Sequence, residues 1–225
     1  MKATFWGALM GAVLAVGPAG AQTYRYVSGP ADAPSFDPEA GAVTIVSEGG
    51  GYWYRSVAER PGGSVRVLEV RVGPEGGLRS AVETEDGRRS SLTVEGTRVV
   101  LRRGESRDGK GFEIPPGRLP CADESVVLAA AAAAARGERR EILLVDFAGR
   151  AIEAALVPGP EERMDTPAGS FSCRRVDLVL RVWIFRPVIR LWVVPTPSPG
   201  FLVRQEGKRS ALGPVYITVL SGIDP

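Results

Sequence analysis

VRVLEVRVGPEGGLRSAVETEDGRRSSLTVEGTRVVLRR, residues 65–103, decides the fold: four β-prone runs of six to eight residues separated by GPEGG, EDG and EG. Tight turns at such spacing return each strand to its neighbour, which predicts an antiparallel meander. Gly87, in Glu85-Asp86-Gly87, can take the positive φ that a two-residue turn requires. Leu78, Ser80, Val82 and Thr84 alternate cleanly with their neighbours, as one face of a strand would. The series Val65, Val67, Val70, Val72 changes phase at Leu68-Glu69, which predicts a bulge there or a strand buried on both faces.

Working outward, Ala42 to Ser47 and Tyr52 to Ala58 extend the meander upstream, and Ser28 to Gly41, dense in Pro, Ala, Asp and Gly, reads as an extended lead-in or loop. Downstream, Asp123-Glu124-Ser125 introduces VVLAAAAAAARG, the one substantial helix. Alanine carries the highest helix propensity, the preceding acids suit an N-terminus, and Arg136-Gly137 supply a cation and a C-terminal glycine. Alanine buries little area, so this helix is either a closely packed element or a movable cover. Glu141 to Phe147 and Arg150 to Val157 form a further hairpin. Ser170 to Arg181, Leu191 to Val194, Phe201 to Gln205 and Val215 to Leu220 complete the sheet.

The first 21 residues read as an export signal. Lys2 is the positive end, Phe5 to Val16 the apolar stretch, Gly17-Pro18 a helix breaker and Ala19-Gly20-Ala21 the cleavage site. The apolar run is shorter than a bilayer span, which favours a removed signal over a retained anchor. Cleavage before Gln22 leaves 204 of 225 residues, ample for the single β-rich domain expected over 22–225. No cysteine follows the signal for lipid attachment, so the expected product is free and soluble, in the periplasm or outside the cell.

Composition narrows the chemistry. The net charge of +2 is spread among interspersed acids and bases, so nucleic acid is not expected as a partner. There is no histidine, which removes the usual general base of nucleophilic triads and a common metal ligand. Carboxylate pairs, Ser-Lys arrangements and all-oxygen metal sites remain. Asp123-Glu124 is accounted for by the helix dipole, however, and Glu161, Glu162 and Asp165 in GPEERMD by a solvated loop without calcium-loop spacing. Ser106 near Lys110 and Ser210 near Lys208 lie in polar, Gly-rich stretches of loop character. No enzyme activity, cofactor or metal is expected. Cys121 and Cys173, in an exported chain, read as a disulfide closing a 52-residue span, worth roughly 4 kcal/mol by loop entropy, against two separate buried thiols.

The apolar stretch Val176 to Val194 is broken by Arg181, Arg186, Pro187 and Arg190, so it reads as two strands rather than a membrane span. Trp183, Phe185, Trp192 and nearby Phe201 form the richest aromatic cluster, either core or the wall of a hydrophobic site.

The layout of a leader, a meander, a helix after PPGRLP, TPAGSFSCRRV running from Thr166 into a long strand, Leu191-Trp192-Val193 and a late Phe201-Leu202-Val203-Arg204 strand resembles exported bacterial proteins related to the LolA/LppX lipoprotein-carrier superfamily. The resemblance implies an unclosed, strongly curved antiparallel sheet, an open half-barrel, with a helix over its concave side where carriers hold acyl chains. It places a ligand between Val176, Leu178, Leu180 and Val182, with Trp183, Trp192 and Phe201, and Val126, Val127 and Leu128 of the helix. This chain departs from well-known carriers in having one evident helix, rich in alanine. The expected function is binding of a lipid or other hydrophobic ligand. The alternative is a structural or interaction module with a filled core that contacts an envelope protein.

Overall fold

The computed structural model describes residues 21–31, 39–59, 63–106, 108–196, 199–208 and 214–224. The expected leader falls outside the described residues except for Ala21. The strands are β1 Gln22–Pro30, β2 Glu39–Glu48, β3 Gly51–Glu59, β4 Val65–Val72, β5 Leu78–Glu85, β6 Arg88–Glu95, β7 Arg98–Arg103, β8 Lys110–Glu113 and β9 Leu119–Ala122. After the helix α1, Val126–Arg136, come β10 Arg140–Val145, β11 Ala151–Thr166, β12 Gly169–Leu180, β13 Val188–Val194, β14 Phe201–Lys208 and β15 Val215–Asp224.

All fifteen strands join one sheet, in the order β8-β7-β6-β5-β4-β3-β2-β1-β15-β14-β13-β12-β11-β10-β9. From β1 in the middle of the sheet the chain winds out to β8, crosses to the opposite edge at β9, and winds back until β15 pairs antiparallel with β1. Among the described residues, only β9 and β10 pair parallel. Each strand twists against its neighbour, so so wide a sheet curls. It curls without closing, and its concave side holds α1, which packs against β11, β12, β13 and β14. The fold is thus the expected mainly β, open, curved sheet with one helix, its meander read from the turn spacing and its open curvature from the family resemblance.

The alanines of α1 have a steric reason. Ala129, Ala130, Ala131, Ala133 and Ala134 are all buried, so the helix is enclosed rather than laid on a surface. At Gly76, in the β4–β5 turn, an added Cβ would lie 2.2 Å from the Ala129 backbone nitrogen. At Gly200 it would lie 2.6 Å from the Ala131 Cβ. Larger side chains would push turn and helix apart. Gly137 ends the helix in the left-handed region at φ 68°, and Glu138 N–H returns to Ala133 O at 3.2 Å. Arg174 caps the same end, donating to Ala134 O at 2.8 Å. At the start, Ser125 Oγ donates backward to Ala122 O at 2.9 Å, and the first turn carries no acid.

Three local expectations differ. The lead-in is partly strand, since Ser28 to Pro30 belongs to β1 and Glu39 to Gly41 to β2. GPEERMD is not a loop: β11 runs through it, absorbing Gly159-Pro160 in an irregularity between Pro158 and Glu161. The phase change in β4 reflects a charged inward position. Arg66 shares the inner face with Leu68, Val70 and Val72, as their partners Ala58, Ser56, Tyr54 and Tyr52 show. The irregularity in β4–β5 pairing lies farther along, at Arg71 and Val72.

The expected disulfide is absent. Cys121 and Cys173 are free, buried thiols. Cys121 on β9 is opposite Leu144 of β10, itself opposite Ile152 of β11, whereas Cys173 on β12 faces Glu162 of β11. Three strand spacings, roughly 14 Å, and about ten residues along a strand, roughly 30 Å, separate them. A disulfide requires Cα atoms within about 7 Å.

Candidate functional site

The C-terminal ends of β1, β3, β5, β12 and β14 lie along one rim of the sheet, as the pairs Pro30↔Tyr216, Glu59↔Val65, Glu85↔Arg88, Val179↔Val188 and Lys208↔Val215 place them. Just inside this rim, between the inner face of β1, β2, β3, β14 and β15 and the start of α1, lies a cavity of about 240 Å³. Its existence follows from side-chain size. Ser28, Gly41, Ser56 and Ala58 occupy neighbouring inward positions, flanked deeper in the fold by the larger Tyr26, Val43, Ile45 and Tyr54. The small residues leave a gap, and Leu202 and Val127 give it further apolar walls. Gln205, Thr218 and Glu124 add polar groups.

Two tyrosines frame the cavity differently. The Tyr26 hydroxyl donates to Leu202 O at 2.9 Å, fixing the ring, and burial pushes its phenol well above the usual range. Tyr54 is only 4% exposed, and its hydroxyl makes no hydrogen bond among the described residues. Burial, followed by the nearby Glu124 charge, keeps this phenol protonated. A phenol hydroxyl at the edge of an open cavity can donate to water or to a bound group.

Next to Tyr54 the inner face turns ionic. Arg66, with its side chain 12% exposed, pairs with Glu83 at 3.3 Å and with Glu124. Burial alone would lower the guanidinium's pKa, but Glu124 and Glu83, helped by Asp123, hold it above the ordinary value. Three carboxylates therefore act on one cation, and of them Glu124 lines the cavity. Glu124 is held by Arg66 from across the concavity rather than placed in the helix's first turn. Such a constellation can bind a polar group. Among the described residues, no group of three or more His, Cys, Asp or Glu is placed to hold a metal, and no helix is long and apolar enough to cross a membrane.

Of the ten ligand-wall residues expected from the sequence, Val127 alone lines this cavity. Val176 and Leu178 are buried in the main core, Leu180 packs at its margin, and Val126 and Leu128 are buried with them. Trp192 lies on the opposite face of β13 from Leu191 and Val193, in a small cluster with Cys173 and Val203. Its Nε1 donates to Glu162 at 2.8 Å, and the Arg204 guanidinium lies 5.8 Å from its ring centroid. Phe201 stacks on Tyr24 at 4.8 Å. Val182 and Trp183 project from the β12–β13 turn. The four aromatic residues read together in sequence are thus split between two places, Trp183 and Phe185 at the exposed turn, and Trp192 with Phe201 packed against its cluster. Tyr26, Tyr54 and Arg66 escaped the sequence reading, which treats Glu124 as a helix-dipole residue rather than a cavity residue. The available signal was the run of small residues at inward positions, together with the phase break that marks Arg66.

No family model and no curated protein matches the chain. Among solved structures, it is similar to a DUF1089 family protein from Pseudomonas aeruginosa, with 15% identity, 90% of this chain and 95% of that one covered, and a TM-score of 0.41. A candidate lipoprotein from Parabacteroides distasonis has 13% identity over 90% of this chain and 94% of that one, with a TM-score of 0.36. A candidate exported protein with a YmcC-like fold from Bacteroides fragilis has 10% identity over 91% and 95%, with a TM-score of 0.37. These are remote likenesses.

Proposed function

We propose that this protein is an exported, non-catalytic binding protein that takes a hydrophobic molecule into the concave side of its sheet. The observation that carries the reading is the cavity of about 240 Å³, kept open by Ser28, Gly41, Ser56 and Ala58 beside the start of α1. Liquid water would fill it with roughly eight molecules, and an aliphatic segment of similar size would exchange them for apolar contact. The polar end suits an amphiphile whose head, a hydroxyl or amine, accepts from Tyr54 or donates to Glu124. Export is supported by the leader pattern in residues 1–21.

Native mass spectrometry of detergent-free protein, followed by solvent extraction, tests the proposal. A reproducible bound amphiphile is expected. A bare protein mass that persists after incubation with envelope lipids refutes ligand carriage and leaves the interaction module.

A further inference from the structure

The described residues include eight exposed large hydrophobic side chains, and seven of them lie along the same rim: Val65, Val182 to Phe185, Val188 and Val215. The densest part is the β12–β13 hairpin tip, where Trp183 is 98%, Ile184 88% and Phe185 69% exposed. Among the described residues nothing covers the tip, and three consecutive exposed apolar residues are a cost to a water-facing surface.

The tip is rigidly presented. Val182 and Phe185 exchange both backbone hydrogen bonds, at 3.1 and 2.9 Å, closing a two-residue turn. Its first central residue, Trp183, has φ 55°, where such a turn ordinarily uses glycine. A bulky aromatic at a glycine position is the kind of local rule violation that marks functional sites. At the base, Arg181 N–H donates to Glu153 O at 2.8 Å, and its guanidinium reaches Glu141 at 2.8 Å and Glu153 at 3.5 Å. The hairpin is therefore clamped to β10 and β11 below its apolar end.

Charge indicates what the tip meets. Arg186 and Lys208 have no ion pair among the described residues, and Arg190 is only 3.9 Å from one carboxylate, Glu206. We infer that the β12–β13 tip inserts Trp183, Ile184 and Phe185 into an anionic lipid surface, with Arg186, Arg190 and Lys208 meeting the headgroups. A convex tip of three side chains is too small for a stable protein interface, which takes about 800 Å² from each partner. It suits the bilayer interface, where Trp and Phe partition and basic residues add attraction. The cavity lies just inside the same rim, so docking would bring its residues near the membrane. The inference stands whether or not the cavity holds a ligand.

The test is flotation with vesicles of phosphatidylcholine and phosphatidylglycerol in roughly equal amounts, and with phosphatidylcholine alone. The protein is compared with the triple variant Trp183→Ser, Ile184→Ser, Phe185→Ser and with Arg186→Glu. Intact mass fixes the N-terminus of each sample, and thermal midpoints confirm folding. The expected result is binding to the mixed vesicles, weakened roughly tenfold or more in the triple variant and several-fold by Arg186→Glu or by phosphatidylcholine alone. Brominated lipid should quench a tryptophan signal that disappears in Trp183→Phe, a readout specific to the tip. Unchanged flotation of the triple variant, no flotation of the unaltered protein, or an unquenched Trp183 overturns the inference. So does a self-association or protein complex that the triple variant abolishes while vesicle binding is absent.

Discussion

Filling the cavity from its floor should strengthen the fold and weaken binding. Gly41 lies on the inner face of β2 between Tyr26 and Ala58, and an added Cβ would meet only Val57 O, at 3.4 Å. Its backbone is outside the left-handed region, so Gly41→Leu introduces no backbone strain. Removing a strand glycine gains about 0.5–1 kcal/mol. Full burial of leucine is worth about 1.5–3 kcal/mol, of which roughly half applies in a cavity open on one side. Lost rotamer freedom takes back about 0.5–1 kcal/mol. The net is about 1 kcal/mol of added stability, a rise in Tm of roughly 2–4 °C for a chain of this size. The isobutyl group meanwhile occupies space that two or so ligand methylenes would fill, each worth about 0.8 kcal/mol, so affinity should fall by roughly tenfold or more. Thermal unfolding gives the first quantity, and titration with the fluorescent apolar probe N-phenylnaphthylamine the second. A stabilised variant that binds the probe as before would refute the assignment of the cavity. A variant destabilised by more than about 1 kcal/mol would show that the inner face is already packed.

Three further outcomes are expected. Gly76→Ala should cost about 2–4 kcal/mol, because it combines positive φ with a Cβ 2.2 Å from the helix backbone, whereas Gly87→Ala, at φ 74° with nothing within 4 Å, should cost about 1 kcal/mol; equal losses in urea unfolding would show that the helix does not press on that turn. Burial pushes the Cys121 thiol up to about 12, and burial with Glu162 pushes Cys173 up to about 11, so neither should react with iodoacetamide in the native protein at pH 8, and both should react after unfolding without reductant; an unreduced, unfolded chain that takes up no label would restore the disulfide. Burial disfavours the Glu141 carboxylate, but hydrogen bonds from Arg139 and Arg118 and the Arg181 charge outweigh it and hold the carboxyl below its usual range. A depressed folded-state value gives stability that is present above the unfolded pKa of about 4.3 and lost as pH falls through the folded value. Glu141→Gln should therefore destabilise at pH 7 and matter less near pH 3, and a pH-independent difference in urea midpoint would count against this network.

Turn chemistry and period-two alternation are local, so they were readable. β4 and β5 begin where the Val65 and Leu78 runs begin, β6 begins directly after the Glu85-Asp86-Gly87 turn, and Gly137 ends α1 because glycine enters the left-handed region without a Cβ clash. The curved sheet follows from the number of short hairpin strands and their common twist. What the strand pattern could not supply was lateral order. Whether β15 meets β1, and how far Cys121 lies from Cys173, depends on pairings between residues distant in the chain, which the local pattern leaves open. The same limit hid the site. Ser28, Gly41, Ser56 and Ala58 are unremarkable one by one and become a cavity only when neighbouring strands align them, while Trp183 and Trp192, close in sequence, end at an exposed turn and in a buried cluster. Sequence set the elements through local sterics and hydrogen bonding; the tertiary structure decided what they enclose, because a cavity is a property of side chains that meet through long-range pairing.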